Sequence, residues 1–355
     1  MSSRSVSERR QGPQGPNGGA LRAPPADAGS GDIIDWAGRH VLVTGGAGFI
    51  GSHLVDRLLA QRAMVTVFDN FSTGFREFIP PRDGLSVVEG DLLDATALRP
   101  ALRGIDFVFH LAANADVKNN LNEPCKCIEQ NLIATQNLLE AMRAAGVREI
   151  AFSSTGSVYG DATIVPTPES APFPVQTSIY AASKVAAEGL LTSYALGFDF
   201  RTWIFRFVSM LGPRYTHGHV FDFWRKLRQD PTRLEILGDG KQKKSYLHIE
   251  DCVDGILHAI ARSRDSINIF NLGHEDWIEV DDSVAIIVRT LGVTPRLSYS
   301  GGDRGWAGDA PRLLLDTTRV RALGWRPRRT IEEGVVDTLR FLNRAQFVAR
   351  RLPGV

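Results

Sequence analysis

Short apolar segments alternate with longer amphipathic segments from about residue 39 onward. The apolar segments are rich in Val, Ile and Phe, a composition that predicts buried β-strands. The segments between them carry apolar residues at helical spacing, as Leu138, Leu139 and Met142 do. This alternation favours an α/β fold, in which helices cover both faces of a doubly wound parallel sheet. The predicted strands are residues 40–44, 64–68, 85–89, 107–110, 149–153 and 202–207, and the predicted helices are residues 51–61, 94–102, 127–145 and 178–196.

The regular alternation ends after Gly212 and Pro213, where segments become shorter and richer in Arg, Trp and Pro. A later apolar stretch, residues 266–271, predicts a strand that returns to the main sheet. We therefore expect a first domain over residues 37–207 with a returning segment at about 251–272. A smaller mixed α/β lobe is expected over residues 208–250 and 273–345. Because ligands of such sheets bind outside the carboxyl ends of the strands, the expected site is the cleft between domain and lobe.

The first 36 residues are predicted to form a disordered tail. They are rich in Ser, Arg, Gly and Pro, and they lack the apolar segment of a secretory signal. Such a segment buries too little apolar surface to offset the entropy of ordering it.

The amino-acid composition limits the kinds of partner that this chain is expected to bind. Its 355 residues include 41 basic and 40 acidic side chains, which gives no basis for a general electrostatic grip on nucleic acid or on a membrane surface. No apolar run approaches the ~20 residues of a membrane span. Three cysteines are too few for a disulfide framework and lack zinc-site spacing, so we expect reduced thiols, no metal and a cytoplasmic protein.

A glycine-rich turn joins the first predicted strand to the first helix. In the segment Gly45-x-x-Gly48-x-x-Gly51, the first glycine permits a tight turn and the second permits close approach of a pyrophosphate. The third lets the helix pack closely on the strand. The pyrophosphate would lie at the helix N terminus, where Phe49 and Ile50 also become candidate contacts. This context predicts a Rossmann unit that binds a dinucleotide.

Asp69, at the end of the second strand, indicates which dinucleotide is bound. Its carboxylate can accept hydrogen bonds from both hydroxyls of the adenosine ribose and would repel a 2′-phosphate, so NAD is favoured over NADP. Asn70, the next residue, is a further candidate contact. Arg76 lies near enough in sequence to keep NADP as an alternative.

Tyr180 and Lys184 lie four residues apart on a predicted helix and therefore share one face. A tyrosine is a poor base because its pKa is near 10. The lysine cation, together with a nicotinamide cation, would favour the phenolate, and Lys184 can also hold the nicotinamide ribose. Upstream, an apolar strand ends in Ser153, Ser154 and Thr155, whose hydroxyls can meet a substrate oxygen in the cleft.

These motifs together resemble the extended short-chain dehydrogenase/reductase family, most of whose members act on nucleotide sugars. The resemblance implies that Asp91 and Leu92 contact the adenine. It implies that Leu111, Ala112 and Ala113 lie along the cofactor.

The resemblance also assigns the catalytic roles. Thr155 matches the Ser/Thr partner of the catalytic tyrosine. Tyr180 is then expected to remove a proton from a sugar hydroxyl while Thr155 holds that oxygen and a hydride passes to NAD. Asn131 matches an asparagine that supports the active-site backbone, with a plain helix-surface amide as the alternative.

A UDP-sugar is the substrate implied by the resemblance. Ser209, where relatives usually carry Asn, and Arg214 match a segment that borders the diphosphate. Lys244 stands where relatives carry Arg, so it can neutralise phosphate without forming a bidentate fork. Arg304 and Asp309 resemble an element that grips diphosphate and ribose.

The residues after Thr155 narrow the expected reaction. Related dehydratases place an acid pair there, but this chain has Gly156 and Ser157. We therefore expect 4-epimerisation of a UDP-hexose. Leu313 resembles a pocket gate that is tyrosine in strict hexose enzymes, so N-acetylated sugars are expected to enter, and a uronate is an open alternative.

Other functions stay open at this point. They are a nucleotide-sugar reductase or dehydrogenase, a 4,6-dehydratase, and a non-catalytic NAD-sensing regulator. The resemblance further implies a homodimer formed through two helices, for which residues 127–145 and 178–196 are the candidates.

Overall fold

The computed structural model describes residues 34–115, 122–306, 309–345 and 347–348. It contains every strand predicted for the first domain and the predicted returning strand. In chain order, the strands are β1 (His40–Thr44), β2 (Met64–Asp69), β3 (Leu85–Glu89), β4 (Phe107–His110), β5 (Glu149–Thr155), β6 (Arg201–Phe207), β7 (Ser209–Leu211), β8 (Arg233–Ile236), β9 (Lys243–Lys244), β10 (Tyr246–His248), β11 (Ile267–Leu272), β12 (Ile278–Glu279), β13 (Arg296–Tyr299) and β14 (Arg312–Leu313).

The main sheet has seven strands in the order β11–β6–β5–β4–β1–β2–β3, and all neighbouring pairs are parallel. The predicted doubly wound sheet is therefore confirmed. The strand order reverses between β1 and β4, because β2 and β3 lie to one side of this pair and β5 and β6 to the other. The carboxyl ends of β1 and β4 flank this switch point, where sheets of this kind bind their ligands.

Helices cover both faces of the sheet. Side chains alternate along a strand, so Leu42 belongs to one core while Val41 and Val43 belong to the other. In the described part of the chain, no helix is both long and apolar enough to cross a membrane. The helices are α1 (Phe49–Ala60), α2 (Ala95–Ala101), α3 (Pro124–Ile128), α4 (Ala134–Ala145), α5 (Ile179–Phe198), α6 (His219–Gln229), α7 (Ile249–Arg262), α8 (Val280–Leu291), α9 (Thr318–Ala322) and α10 (Ile331–Arg344).

The helix predicted over residues 127–145 differs from the prediction in one respect. It begins earlier, at Pro124, and a π turn over Glu129–Ile133 joins α3 to α4. Such turns are often found at functional sites. Asn131, in this turn, is only 1% exposed, so its side chain faces the interior of the protein.

A C-terminal α/β lobe follows the main sheet, as predicted. Its strands pair as β10 with β7, as β12–β9–β14 and as β13 with β8. Helices α6, α8 and α10 contribute Trp224, Ile287 and Leu339 to a third core. Phe75 and Phe78, from the segment after β2, pack into the same core and so join the lobe to the domain of the main sheet. The exact domain bounds stay a prediction.

Ile34 and Trp36 correct the predicted bound of the N-terminal tail. Residues 1–33 of that tail lie outside the described residues. Ile34 and Trp36 are 6% and 3% exposed. The Trp36 ring packs edge-on against Phe107 of β4, with 5.3 Å between ring centroids. Two apolar residues beside a glycine-rich segment show no periodicity, so their burial could not be predicted from the pattern.

We expect Trp36→Ala to lower the free energy of unfolding by about 3–5 kcal/mol, the usual cost of truncating a buried large aromatic side chain. Urea unfolding followed by circular dichroism measures this change. Val175→Ala is the control, because Val175 is 87% exposed and a surface truncation should change stability by no more than about 0.5 kcal/mol. Equal effects of the two substitutions would place Trp36 outside the core.

Candidate active site

The turn between β1 and α1 has room only for glycine at two positions. Gly45 has a φ of +68°, and a Cβ there would lie 2.6 Å from the Ala112 nitrogen. A Cβ on Gly51 would lie 2.2 Å from the Gly45 carbonyl oxygen. The absence of these side chains lets α1 start directly against the ends of β1 and β4.

The N terminus of α1 is suited to bind an anion. Gly48 is its N-cap residue, no side chain caps the helix, and the first turn holds no acidic residue. The backbone N–H groups of this turn, which starts with Phe49 and Ile50, can therefore donate to a pyrophosphate, and the helix dipole favours the negative charge.

Asp69 is fixed beside this turn and is 8% exposed. Its Oδ2 accepts a hydrogen bond from the Ala47 N–H at 2.9 Å, and its Oδ1 accepts one from the Phe71 N–H at 2.8 Å. Because Ala47 belongs to the glycine turn, the carboxylate is held next to the anion site. Arg76 is the residue for which NADP was left as an alternative. Its guanidinium pairs with Glu89, and its Cζ lies 4.0 Å from the Phe71 ring centroid.

Asp91 lies at the centre of a second polar group. It accepts hydrogen bonds from Asn70 Nδ2 at 3.0 Å, from Gln130 Nε2 at 3.1 Å and from the Leu93 N–H at 2.9 Å. Partial burial acts to raise the pKa of Asp91, but these hydrogen bonds outweigh it and hold the pKa below its usual value. Leu92 is buried in the adjacent core. A contact of Gln130 with Asp91 was not predicted from the sequence, because the π turn sets the direction of the Gln130 side chain.

The residues Leu111, Ala112 and Ala113 leave β4 alongside the glycine turn, and all three are half-buried. The Leu111 N–H donates to the Thr44 carbonyl at 3.1 Å, and the Ala112 N–H donates to Thr44 Oγ1 at 3.3 Å. These bonds fix the segment at the switch point, next to the site of the expected dinucleotide.

His110 anchors this region as a neutral side chain. Its Nδ1 shares a hydrogen bond with Thr44 Oγ1 at 2.8 Å, and its Nε2 shares one with Thr135 Oγ1 at 2.9 Å. Burial, with a smaller contribution from the charge of Lys184, lowers the pKa of His110 to about 3.

Asn131 clamps the backbone just beyond β4. Its Oδ1 accepts from the Asn114 N–H at 2.8 Å, and its Nδ2 donates to the Asn114 carbonyl at 3.0 Å. The same Nδ2 donates to Ser183 Oγ of α5 at 3.0 Å. The predicted role of Asn131 as a backbone support is therefore confirmed, and the helix-surface alternative is wrong.

The start of α5 places Tyr180 and Lys184. Ser178 is the N-cap residue, and its hydroxyl accepts from the Ala181 N–H at 3.1 Å. Tyr180 therefore lies in the first turn, and Lys184 follows one turn later on the same face of the helix.

Lys184 is buried at 1% exposure. Its Nζ donates to the Ser153 carbonyl of β5 at 2.8 Å and lies 4.5 Å from the Phe152 ring centroid. Burial lowers the pKa of Lys184 to about 7, while Cys127 and Glu188 act in the opposite direction. This lysine is thus attached to the strand that ends at Thr155.

Thr155 lies beside Tyr180 at the carboxyl end of β5, close enough for its hydroxyl to act on the pKa of the phenol. Thr155 Oγ1 accepts from the Ser157 N–H at 3.1 Å. Burial raises the pKa of Tyr180 to about 12, although the Thr155 hydroxyl acts to lower it. The expectation that Lys184 lowers this pKa is not met in the protein alone.

Lys244, Arg304 and Asp309 come together in the lobe. Lys244 Nζ pairs with the Asp309 carboxylate, and Arg304 Nη1 donates to the Asp309 carbonyl at 2.7 Å. Arg304 also forms a bidentate pair with Asp161 at 3.0 and 3.1 Å. A diphosphate can bind these two cations by replacing their present carboxylate contacts.

Leu313 lies between this cluster and Thr155. On β14 it is in register with Lys244 of β9. A Cβ on Gly156, the residue after Thr155, would lie 3.1 Å from Leu313 Cδ1. Leu313 therefore contacts the turn that follows Thr155.

Ser209 and Arg214 were predicted at the diphosphate, but their described contacts do not include this cluster. Ser209 begins β7 and is exposed. Arg214 Nη2 pairs with Asp56 of α1 at 2.8 Å, and its guanidinium lies 5.7 Å from the Phe78 ring. The direction of Arg214 follows from a left-handed backbone, with φ +68°, which sequence spacing does not reveal.

Comparison with known proteins shows to which family this chain belongs. The family model described as "NAD dependent epimerase/dehydratase family" matches residues 41–273. This range contains the glycine turn, Thr155, Tyr180 and Lys184. The chain belongs to the NAD-dependent epimerase/dehydratase family. The predicted resemblance to the extended short-chain dehydrogenases/reductases is thereby confirmed.

Three relatives illustrate the range of this epimerase/dehydratase family. The UDP-glucose 4-epimerase of Mycolicibacterium smegmatis is 35% identical over 317 residues, which cover 86% of this chain and 99% of the relative. The crystal structure of Thermus thermophilus UDP-glucose 4-epimerase in complex with NAD has a TM-score of 0.77 and 33% identity, covering 86% of this chain and 99% of that chain. UDP-glucuronic acid decarboxylase 2 of Arabidopsis thaliana is 30% identical over 308 residues, which cover 84% of this chain and 67% of the relative.

NAD is the cofactor of this family, and the site has the features needed to hold it. At Gly45 and Gly51 a Cβ would overlap neighbouring backbone atoms, so only glycine allows the tight turn that brings the start of α1 to the strand ends. The uncapped α1 N terminus suits the pyrophosphate, and the anchored Asp69 suits the ribose. When bound, NAD supplies the reversible acceptor for a hydrogen and its electron pair.

Sequence reasoning missed a buried ion pair beside the site. Glu188 and Arg206 are 4% and 3% exposed, and Arg206 Nη2 lies 2.7 Å from Glu188 Oε2. The available signal was helical spacing, because Glu188 lies four residues after Lys184 and so shares its buried face. Fully buried charges are rare unless they are paired.

We expect Gly51→Ala to raise the Kd for NAD at least about tenfold, a loss of about 1.4 kcal/mol or more, because the added Cβ would overlap the Gly45 carbonyl. Isothermal titration with NAD measures the change. Gly197→Ala is a matched control, since a Cβ at that helical position meets no atom within 4 Å. An unchanged Kd in Gly51→Ala would mean that this turn does not contact the cofactor.

Proposed function

We propose that this enzyme catalyses NAD-dependent 4-epimerisation of a UDP-hexose through a transient 4-keto sugar. The observation that carries the proposal is the combination of Thr155, Tyr180 and Lys184. Thr155 is followed by Gly156 and Ser157, where related dehydratases have an acid pair. The similarity to UDP-glucose 4-epimerases along nearly the whole length of those enzymes supports it.

The proposed proton transfer uses two hydroxyls. In its phenolate form, Tyr180 Oη accepts the proton of the sugar 4-hydroxyl, while Thr155 Oγ1 hydrogen-bonds the same oxygen. Lys184, fixed by the Ser153 carbonyl, would hold the hydroxyls of the nicotinamide ribose. After the keto sugar has rotated in the site and presents its other face, Tyr180 returns the proton. Substrate and product are isomers, so no net oxidation occurs.

The space after Thr155 supports epimerisation over dehydration. A Cβ on Gly156 would lie 3.1 Å from Leu313 Cδ1 and 3.2 Å from the Phe207 carbonyl oxygen, so an acidic side chain would require Leu313 to move. Ser157 Oγ accepts a hydrogen bond from the Thr155 hydroxyl at 3.2 Å. A serine at this point is not acidic enough to protonate a leaving hydroxyl, so loss of water would lack its general acid.

We further propose that Lys244 and Arg304 bind the diphosphate and that Asp309 binds the ribose. The contacts of both cations with Asp309, and the pairing of Lys244 with Leu313 of β14, support this proposal. Lys244 offers a point charge in place of the guanidinium fork of its relatives. Ser209 and Arg214 stay predictions without such support.

We expect the purified protein to convert UDP-glucose, UDP-N-acetylglucosamine or UDP-glucuronate to the C4 epimer, as followed by NMR, without net consumption of NAD. We expect Tyr180→Phe to lower kcat by about 10²- to 10⁴-fold, the usual contribution of a general acid–base group. Tyr299→Phe is the control, because Tyr299 is 45% exposed.

Other outcomes of this experiment would overturn the proposal. Stoichiometric consumption of NAD or NADH would identify a dehydrogenase or reductase. A 4-keto-6-deoxy product would identify a dehydratase. Tight NAD binding without turnover of any of the three sugars would identify a regulator.

Leu313 leads us to propose that the pocket accepts N-acetylated sugars. Leucine leaves more space beside Gly156 than tyrosine would. We expect Leu313→Tyr to lower kcat/KM for UDP-N-acetylglucosamine by about tenfold or more relative to UDP-glucose, which is the discrimination that steric exclusion of a small group gives. Leu297→Tyr, at a 41% exposed position of β13, is the control. A variant that converts both sugars as the parent does would contradict this role.

We also propose a homodimer that forms through α5. One face of this helix exposes small or apolar side chains, namely Ala182, Ala186, Gly189, Ser193 and Leu196. Small residues let a second helix approach closely, and Leu196 is 79% exposed. We expect light scattering to give twice the 39.0 kDa chain mass and Ala186→Arg to give the monomer mass. A monomeric parent protein would contradict the proposal.

A further inference from the structure

Three polar side chains form a row across neighbouring strands of the main sheet. Ser154 of β5 is in register with Arg206 of β6, which is in register with Asn271 of β11. Residues in register on parallel strands lie on the same face, and here α5 covers that face. All three are buried, at 3%, 3% and 0% exposure.

Glu188 of α5 binds one end of this row. Arg206 donates to its two carboxylate oxygens from Nε at 3.1 and 3.3 Å and from Nη2 at 2.7 Å. The Ser154 hydroxyl donates to the same carboxylate. Glu188 lies one turn after Lys184, so the pair holds α5 at the level of the active site.

Arg206 also reaches the turn that follows Thr155. Its Nη1 donates to Tyr159 Oη at 2.8 Å and to the Glu169 carbonyl at 3.0 Å. Tyr159 is the last residue of the turn Gly156–Tyr159 and is 1% exposed. The planar guanidinium therefore fixes α5 and this turn relative to each other.

Asn271 extends the connection to the segment that carries Leu313. The Tyr159 hydroxyl donates to Asn271 Oδ1 at 2.8 Å. Asn271 Nδ2 donates to the Thr167 carbonyl at 2.9 Å and to the Asp316 carbonyl at 3.0 Å. Asp316 lies three residues after Leu313. The same chain of contacts therefore reaches both sides of the sugar pocket.

A buried ion pair is weak evidence for a purely stabilising role. Desolvation of both charges offsets their attraction, and apolar pairs of similar volume often stabilise a protein equally well. An apolar pair cannot reproduce the directional hydrogen bonds that Arg206 makes with three separate elements.

We propose that Arg206, held by Glu188, is a positioning residue that sets the turn after Thr155, and hence the Thr155 hydroxyl, against Tyr180 and Lys184. Asn271 transmits the same constraint to the segment that contains Leu313. The catalytic part of this inference rests on the proposed epimerase function.

The experiment compares Arg206→Met, Glu188→Leu and the double variant, each as the NAD-loaded enzyme. The single variants are expected to lower the melting temperature, because each leaves a buried group unpaired. The double variant is expected to regain most of that temperature. Its kcat should nevertheless stay about 10- to 100-fold below the parent, as small misplacements of reacting groups cause, while KM for the UDP-sugar changes less than about threefold. The pair Arg57→Met/Asp254→Leu, an ion pair between α1 and α7, is the control and should keep the parent kcat.

Amide hydrogen exchange gives a readout that does not require turnover. In the double variant, the amides of the turn Gly156–Tyr159 should exchange at least about tenfold faster than in the parent and in the control pair. A double variant with parent kcat and parent exchange would overturn the inference. If the parent protein fails to epimerise any UDP-sugar but exchange in the turn still increases, the proposed function fails and the positioning role stands.

Discussion

The hydrogen bond from Lys184 to the Ser153 carbonyl is the contact on which the proposed catalytic arrangement depends. It joins α5 to the last residues of β5 at 2.8 Å, between residues that are 1% and 8% exposed. Thr155 follows two residues later on the strand, and Tyr180 precedes Lys184 by one helical turn. Without this bond a buried amine would lose its acceptor, and leaving such a group unsatisfied costs about 1–3 kcal/mol. The same bond therefore stabilises the junction and brings the two hydroxyls together.

A second constraint comes from the switch point between β1 and β4. The backbone of Gly45 lies so close to Ala112 that no Cβ fits between them. The uncapped start of α1, the anchored Asp69 and the segment after β4 thus share one cleft with the end of β5. Cofactor and substrate can meet there because neighbouring parallel strands end at the same edge of the sheet.

Much of this arrangement could be predicted from sequence because it depends on local signals. Strand periodicity, three glycines and the spacing of Tyr180 and Lys184 are properties of short segments. The features that could not be predicted depend on distant contacts. Trp36 packs against Phe107 and Phe109 of β4, and Arg214 pairs with Asp56, more than a hundred residues away in sequence. The pKa of Tyr180 likewise follows from burial, which helical spacing does not reveal.

Isotope transfer tests the central claim, that the site removes one carbon-bound hydrogen and returns it to the same sugar. The substrate is UDP-hexose labelled with deuterium at C4, incubated in ordinary water with the enzyme as purified. Retention of the label at C4 in the epimer, measured by mass spectrometry and NMR, is the predicted result. Loss of the label to solvent during epimerisation, or product that forms only as external NAD is consumed, would contradict it.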